Sequence, residues 1–262
     1  MSTLSVKHSG GIGDIIYSLP TVLSLIRDHG ISRVIYYLQL GQHVQYSGPH
    51  PLGTLLLSAD YIDKVRPLLL SQPYVQQVEI YSDQKVDVDF DQFRRIPLNY
   101  SMYSIARWYF LFVIGASWDL SLPWLNVVPD YRFRDFALVA RNRRLQSPFI
   151  TYNFLDKYAD RIVFVGVEQE FEDFRMQCPQ CSRFYQAPDF LELARVIAGC
   201  RFFAGNQGMI YTLAEALKVP RLLETNIQAA NNIPQGGACY DALFQQGFEY
   251  WFARLMSART TP

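Results

Sequence analysis

This sequence predicts an α/β protein of two facing Rossmann-like halves, each with a parallel sheet. Three observations carry the prediction. Short apolar runs of strand length alternate with amphipathic stretches at helical spacing, as βαβ units require. A glycine-rich turn opens a helix once in each half, at Ser9-Gly10-Gly11-Ile12-Gly13-Asp14 and at Gly205-Asn206-Gln207-Gly208-Met209. Between the halves, residues 123–135 break the alternation with Pro123-Trp124, Pro129-Asp130 and a run of Arg and aromatic residues, which reads as a linker. The expected domains are therefore residues 1–132 and 133–262.

In the N-terminal half, Leu4 to His8 reads as the first strand. Ile15, Leu19, Val22 and Ile26 then make one apolar helical face from Asp14 to Asp28, stopped by Gly30. Ser32 to Leu38 is the second strand, followed by a polar Gly/Pro loop over 41–53. Residues 54–71 are helical in part, with an interruption expected near Pro67. Val75 to Tyr81 is a third strand, and Ser104 to Ile114 an aromatic-rich helix.

The C-terminal half opens with strands at Phe136 to Ala140 and Arg161 to Val167, then an acidic segment, Glu168 to Asp173. Asp189 is placed to cap a helix over Phe190 to Gly199. Arg201 to Ala204 and Lys218 to Leu223 are strands on either side of a helix from Met209 to Leu217, and Asp241 to Met256 is the last helix.

Half of the 262 residues are hydrophobic and 18% are charged, so a large core is expected and disorder is not. The formal net charge is zero, which argues against a general nucleic-acid binder. The start lacks a leader pattern, and no apolar window reaches bilayer length, so a soluble cytoplasmic protein is expected.

The first glycine turn is a poor dinucleotide fingerprint. Ile16 stands where a third glycine belongs, and the second strand ends in Tyr36-Tyr37-Leu38-Gln39 without an acid for a ribose. Asp14 is thus either a helix cap or a base. The second turn ends a strand and opens a helix, where backbone N–H groups and the helix dipole favour a phosphate. Glu215 and Glu224 follow it and are placed either to bond a ribose or to lie on the surface. Arg132, Arg134, Arg141, Arg143 and Arg144 form a basic cluster, either a diphosphate clamp or a solvated face.

Asp87-Val88-Asp89-Phe90-Asp91 puts three carboxylates on one face if extended, a pattern some transferases use for manganese. Cys178-Pro179-Gln180-Cys181 has zinc-knuckle spacing but no second pair and no His downstream nearby, so no metal site is expected and the pair reads as loop decoration.

Together these stretches resemble the heptosyltransferase-like (family 9) glycosyltransferases of the GT-B fold, and in particular a bacterial and phage branch of that group. The likeness rests on HSGGIGDIIYSLPTVLSL, LLSQPYVQQV and VDVDFDQFRR in the first half. In the second half it rests on VARNRR, FVGVEQEFEDF and LELARVIAGCRFFAGNQGMIYTLAEALKVPRLLE. The resemblance implies an active site in the cleft between the domains, with Asp14 as the base and no cofactor beyond a nucleotide-diphosphate sugar donor. It implies that Gly11, Gly13, Asn206, Gln207, Gly208 and Met209 serve the donor phosphates, with Tyr211 in the place of a histidine and Arg141 or Arg143 in that of a lysine. Glu168, Glu215 and Glu224 are the candidates for the ribose or base. The expected activity is inverting, metal-independent transfer to a hydroxyl of a glycan, lipid-linked or other acceptor, with no nucleic acid as partner. The alternatives are a non-catalytic nucleotide-sugar-binding module or partner subunit, and a metal-dependent transferase using Asp87 and Asp89.

Overall fold

The computed structural model describes residues 2–44, 52–96 and 99–258. Of the loop expected over 41–53, residues 45–51 lie outside the described residues. The first sheet holds β1 (Ser2–His8), β2 (Ile31–Leu38), β3 (Val75–Ile80) and β4 (Val88–Asp89), in the order β3-β2-β1-β4 and parallel throughout. Helices α1 (Ile12–His29), α2 (Ala59–Leu70) and α3 (Ile105–Phe112) accompany it. The second sheet holds β5 (Ala137–Ala140), β6 (Ile162–Val165), β7 (Phe184–Tyr185), β8 (Phe202–Asn206), β9 (Arg221–Glu224) and β10 (Cys239–Ala242). Its order is β10-β9-β8-β5-β6-β7, again all parallel. Helices α4 (Glu168–Gln177), α5 (Phe190–Ala198), α6 (Met209–Leu217) and α7 (Gln245–Ser257) belong to this half. Among the described residues, no helix is long and apolar enough to cross a membrane.

Local chemistry accounts for the element ends. Gly30 closes α1 in the left-handed conformation at φ 61°, which favours glycine. Asp189 caps α5 by accepting the Glu192 N–H at 2.8 Å, as its position predicts. Ile15, Ile16, Leu19 and Val22 of α1 are fully buried in the core, and β5, β6 and β8 are buried along their whole lengths. Such continuous apolar strands are what a parallel sheet covered on both faces demands. Gly205 lets β8 lie against β5, since a Cβ there would sit 2.3 Å from the Ala140 carbonyl oxygen.

Three expectations are corrected. Pro67 does not interrupt α2: it stands in the last turn, opposite an exposed Asp63, and burial of Leu68 and Leu69 outweighs one lost backbone bond. The acidic segment is the start of a helix, α4, whose Glu168 and Glu170 suit the positive end of the dipole. Cys239–Ala242 is a strand rather than the beginning of the last helix, because β9 supplies it with a parallel ladder partner from Cys239↔Arg221 to Ala242↔Glu224. The residues between α3 and β5 run over the second half, with Trp124 N–H bonding Ala216 O and Asp130 N–H bonding Arg195 O.

Candidate functional site

Both glycine turns lie where the strand order reverses. In the second sheet the chain runs outward from β5 through β6 to β7, then returns to place β8 on the other side of β5. In the first sheet β4 returns to the free side of β1. Ligands of open α/β sheets bind at the carboxyl ends of strands at such switch points. Here those ends carry Gly10 to Asp14 in one half, and Asn142 with Asn206 to Met209 in the other.

The two turns face one another. A cavity of about 560 Å³ is lined by Gly11, Gly13 and Asp14 from one side and by Gln207, Gly208, Met209 and Arg144 from the other. Gly13 lies at the contact between the two sides: a Cβ there would stand 3.2 Å from Thr212 Oγ1, tighter than an ordinary contact, and 3.7 Å from Met209 Cα. A second cavity of about 200 Å³ shares Gly208, Met209, Arg144 and Tyr61 with the first. It extends over the C-terminal half past Arg143, Gly166 and Glu170 to Asp189.

Asp14 does not cap its helix. Gly11 is the N-cap residue of α1 and no side chain bonds there. The Asp14 carboxylate instead pairs with Arg94, both side chains being about a quarter exposed. Arg94 also approaches Asp91 at 3.7 Å, and Asp91 accepts the Ser9 N–H at 3.0 Å. His8 lies under the same turn and is fully buried. Burial holds its imidazole below the usual range, so the neutral ring accepts the Gly10 N–H at Nδ1 and donates from Nε2 to the Tyr109 hydroxyl, both at 2.9 Å. The result is a rigid polar floor beneath Asp14.

At the second turn, α6 opens without a side-chain cap. Asn206 borders the second cavity and Gln207 the first, and their side chains hold the surrounding loops. Asn206 Oδ1 accepts the Asn142 N–H at 2.9 Å and its Nδ2 donates to Arg144 O at 2.7 Å. Gln207 accepts the Asn226 N–H at 3.0 Å and donates to Asn231 at 3.1 Å and to the Ala229 carbonyl. Beside these engaged amides the turn offers a ligand its backbone, with the partial positive charge of a helix start.

The remaining candidates separate. Arg141 is buried, donating to Glu224 at 2.8 and 2.9 Å, to Ile150 O at 2.8 Å and to Gln177 at 3.1 Å, and it stacks on Tyr152. Glu224 is occupied by Arg141 and by the Ser147 N–H, and Glu215 by Arg221 and Lys218. These three hold the core of the C-terminal half and do not meet the cleft. Tyr211 is buried but borders the second cavity, as does Arg143, which pairs with Asp173. Glu168 starts α4, but Glu170, two residues on, is the carboxylate of that helix that borders the second cavity. Burial lifts Glu170 to about 7.

The Asp-x-Asp face is engaged internally. Asp87 accepts from Ser5 N and Oγ at 2.7 and 2.6 Å, and Asp89 pairs with Lys7 at 3.4 Å and Arg95 at 2.8 Å. Sequence reasoning missed Arg94, His8, Glu170 and Lys64, the last of which also borders the second cavity. Arg94 is eighty positions from Asp14, and only the return of β4 beside β1 unites them.

No protein-family model matches the chain, and no curated protein is similar to it in sequence. Solved structures are similar to it in fold. One is E. coli ADP-heptose LPS heptosyltransferase II, at 12% identity and TM-score 0.65, covering 98% of each chain. A glycosyl transferase family 9 protein of Veillonella parvula is similar at 12% identity and TM-score 0.62, covering 92% of this chain and 86% of that one. The E. coli heptosyltransferase WaaC with ADP is similar at 11% identity and TM-score 0.56, covering 96% and 97%. The chain has the two-domain α/β fold of these structures, which is the GT-B architecture expected from its motifs.

Proposed function

We propose that this protein is an inverting glycosyltransferase that moves a sugar from a nucleoside-diphosphate sugar to an acceptor hydroxyl in the cytoplasm. The observation that carries the reading is that one cavity has a carboxylate, Asp14, on one wall and an uncapped helix start, α6, on the other. The names of the similar structures, heptosyltransferases that include one solved with ADP, agree with it.

The cavities suggest how the substrates divide. The diphosphate takes the backbone at Gly208 to Met209, where both cavities meet, beside Arg144. Its nucleoside lies toward the second cavity, near Glu170 and Lys64, and the acceptor lies in the first, toward Asp14. In transfer, the acceptor oxygen bonds the anomeric carbon as that carbon's bond to the diphosphate oxygen breaks. The acceptor proton passes to the Asp14 carboxylate, and the charge that develops on the departing diphosphate meets the α6 dipole. No metal is needed in these steps, since helix start and guanidinium supply the positive charge. Arg94 positions Asp14 by pairing with one of its oxygens. Arg141, Glu215 and Glu224 have no place at the donor in this scheme.

General-base help is worth about 10²–10⁴ in rate. Asp14→Asn is expected to cut turnover at least about a hundredfold while a nucleoside diphosphate binds nearly as before. Transfer assays over a panel of nucleoside-diphosphate sugars, with and without added divalent cation, provide the check. Full turnover in Asp14→Asn would remove the role of base. Tight donor binding without transfer or donor hydrolysis by the parent protein would favour a binding module instead.

A further inference from the structure

Outside the cleft, one cluster of metal-ligating side chains has no part in the proposed reaction. Helix α4 ends at Gln177, and Cys178 follows as its C-cap with its N–H bonded to Phe174 O at 2.9 Å. The chain then turns tightly, Cys181 N–H returning to Cys178 O at 3.1 Å. Both thiols point inward and are buried, so they do not decorate a loop as their sequence context suggests. They meet Asp156, from the turn over Asn153–Arg161. One carboxylate oxygen and the two Sγ atoms all lie within 4.8 Å of one another. The Gln180 N–H donates to Asp156 Oδ1 at 3.1 Å, so the Cys-x-x-Cys turn itself orients the carboxylate. Among the described residues, no Lys or Arg forms an ion pair with Asp156.

We infer that Cys178, Cys181 and Asp156 bind one thiophilic divalent cation of the zinc class. Two sulfurs and a carboxylate are a borderline-soft donor set, and Cys-x-x-Cys is the usual half of a zinc knuckle. Tetrahedral bonds of about 2.3 Å to sulfur and 2.0–2.2 Å to oxygen separate ligand atoms by roughly 3.3–3.8 Å, so closing onto a metal needs shifts of about 1 Å or less. Binding releases the two thiol protons and leaves a fourth position for water. Such an ion ties the C-terminal end of α4 to the Asn153–Arg161 turn. Gln177, next in the chain, accepts from Tyr152 N at 2.9 Å and from Arg141 at 3.1 Å, so the clamp also braces the carboxyl end of β5. Asp156 lies too far upstream of the cysteines for their spacing to reveal it.

The test uses the full reduced chain, purified without chelator and titrated with Zn²⁺ and Cd²⁺ alone. One equivalent should bind, with a thiolate-to-cadmium charge-transfer band, a rise in Tm and release of two protons. Cys181→Ser should abolish the band, and Asp156→Asn, which keeps both thiols, should weaken binding at least about tenfold. Absence of the band in the parent protein, or unchanged affinity in Asp156→Asn, overturns the site. So does a parent protein two daltons light under mild thiol, since the pair would then be a disulfide couple.

Discussion

At the scale of residues, the cleft separates carboxylates by what surrounds them. Asp14 is held by a guanidinium at the edge of open space, whereas Glu170 is held back from water with little to replace it. A carboxyl lifted to about 7 favours its proton in the folded state. Its contribution to stability is therefore full below the unfolded value near 4.5 and is lost as pH rises through about 7. Glu170→Gln removes that dependence. Its Tm relative to the parent should rise between pH 5 and pH 8, and a thermal melt series across that range reads it; parallel curves would mean that Glu170 titrates normally. Asp14 was legible in the sequence because a carboxylate in a glycine-lined turn is a local pattern. Arg94 and Glu170 were not, since one reaches the site through sheet topology and the other differs from Glu168 only by which way a helix faces.

At the scale of elements, charged groups do work that the sequence suggested for ligands. Glu215 lies on α6, Arg221 opens β9, and Lys218 joins them, all nearly inaccessible to water. Arg221 further donates to Val219 O at 3.0 Å and Gln235 O at 2.7 Å, so one guanidinium gathers the α6–β9 connection. Removing one member of a buried pair typically costs about 3–5 kcal/mol. Glu215→Ala should lower Tm by about 10 °C, read by calorimetry, and a change of a degree or two would contradict this account. The helices and strands with regular apolar spacing, α1, α5, α6, β2 and β8, stood out before any coordinates. Those that did not, α4 and β10, are polar segments whose state is set by neighbours: α4 by Phe171 and Phe174 packing on β6, and β10 by the edge of β9. Burial also explains why Glu215 and Glu224 are not the surface carboxylates their polarity allows, because polarity in a sequence does not reveal which carboxylates have cations waiting inside.

At the scale of the whole molecule, the donor should stabilise the fold by mass action. A nucleoside diphosphate at a hundred times its dissociation constant adds roughly 2.7 kcal/mol, or about 5–10 °C in Tm for a chain of this size. The nucleotide that gives the largest shift identifies the donor base, and no shift with any of them would remove the nucleotide site. The two-sheet architecture was legible as a whole because each half repeats one pattern, strand then glycine turn then helix. The contact between the halves was not, as it depends on which faces of α1 and α6 meet.

That contact has a mechanical consequence. Where Gly13 lies on Met209 and Thr212, the halves touch at the base of the cleft through a residue with nothing to project. The same seam continues where Tyr61 of α2 meets Phe190 of α5, ring centroids 5.9 Å apart, so the spacing of the halves at the cleft is set by side-chain volume along it. Gly13→Val adds volume at one end of that seam, so the halves should stand further apart with each one intact. X-ray scattering should then report a larger radius of gyration, with unchanged circular dichroism and transfer lost ahead of nucleotide binding. A variant as compact and as active as the parent would mean that the seam at position 13 does not set the spacing of the halves.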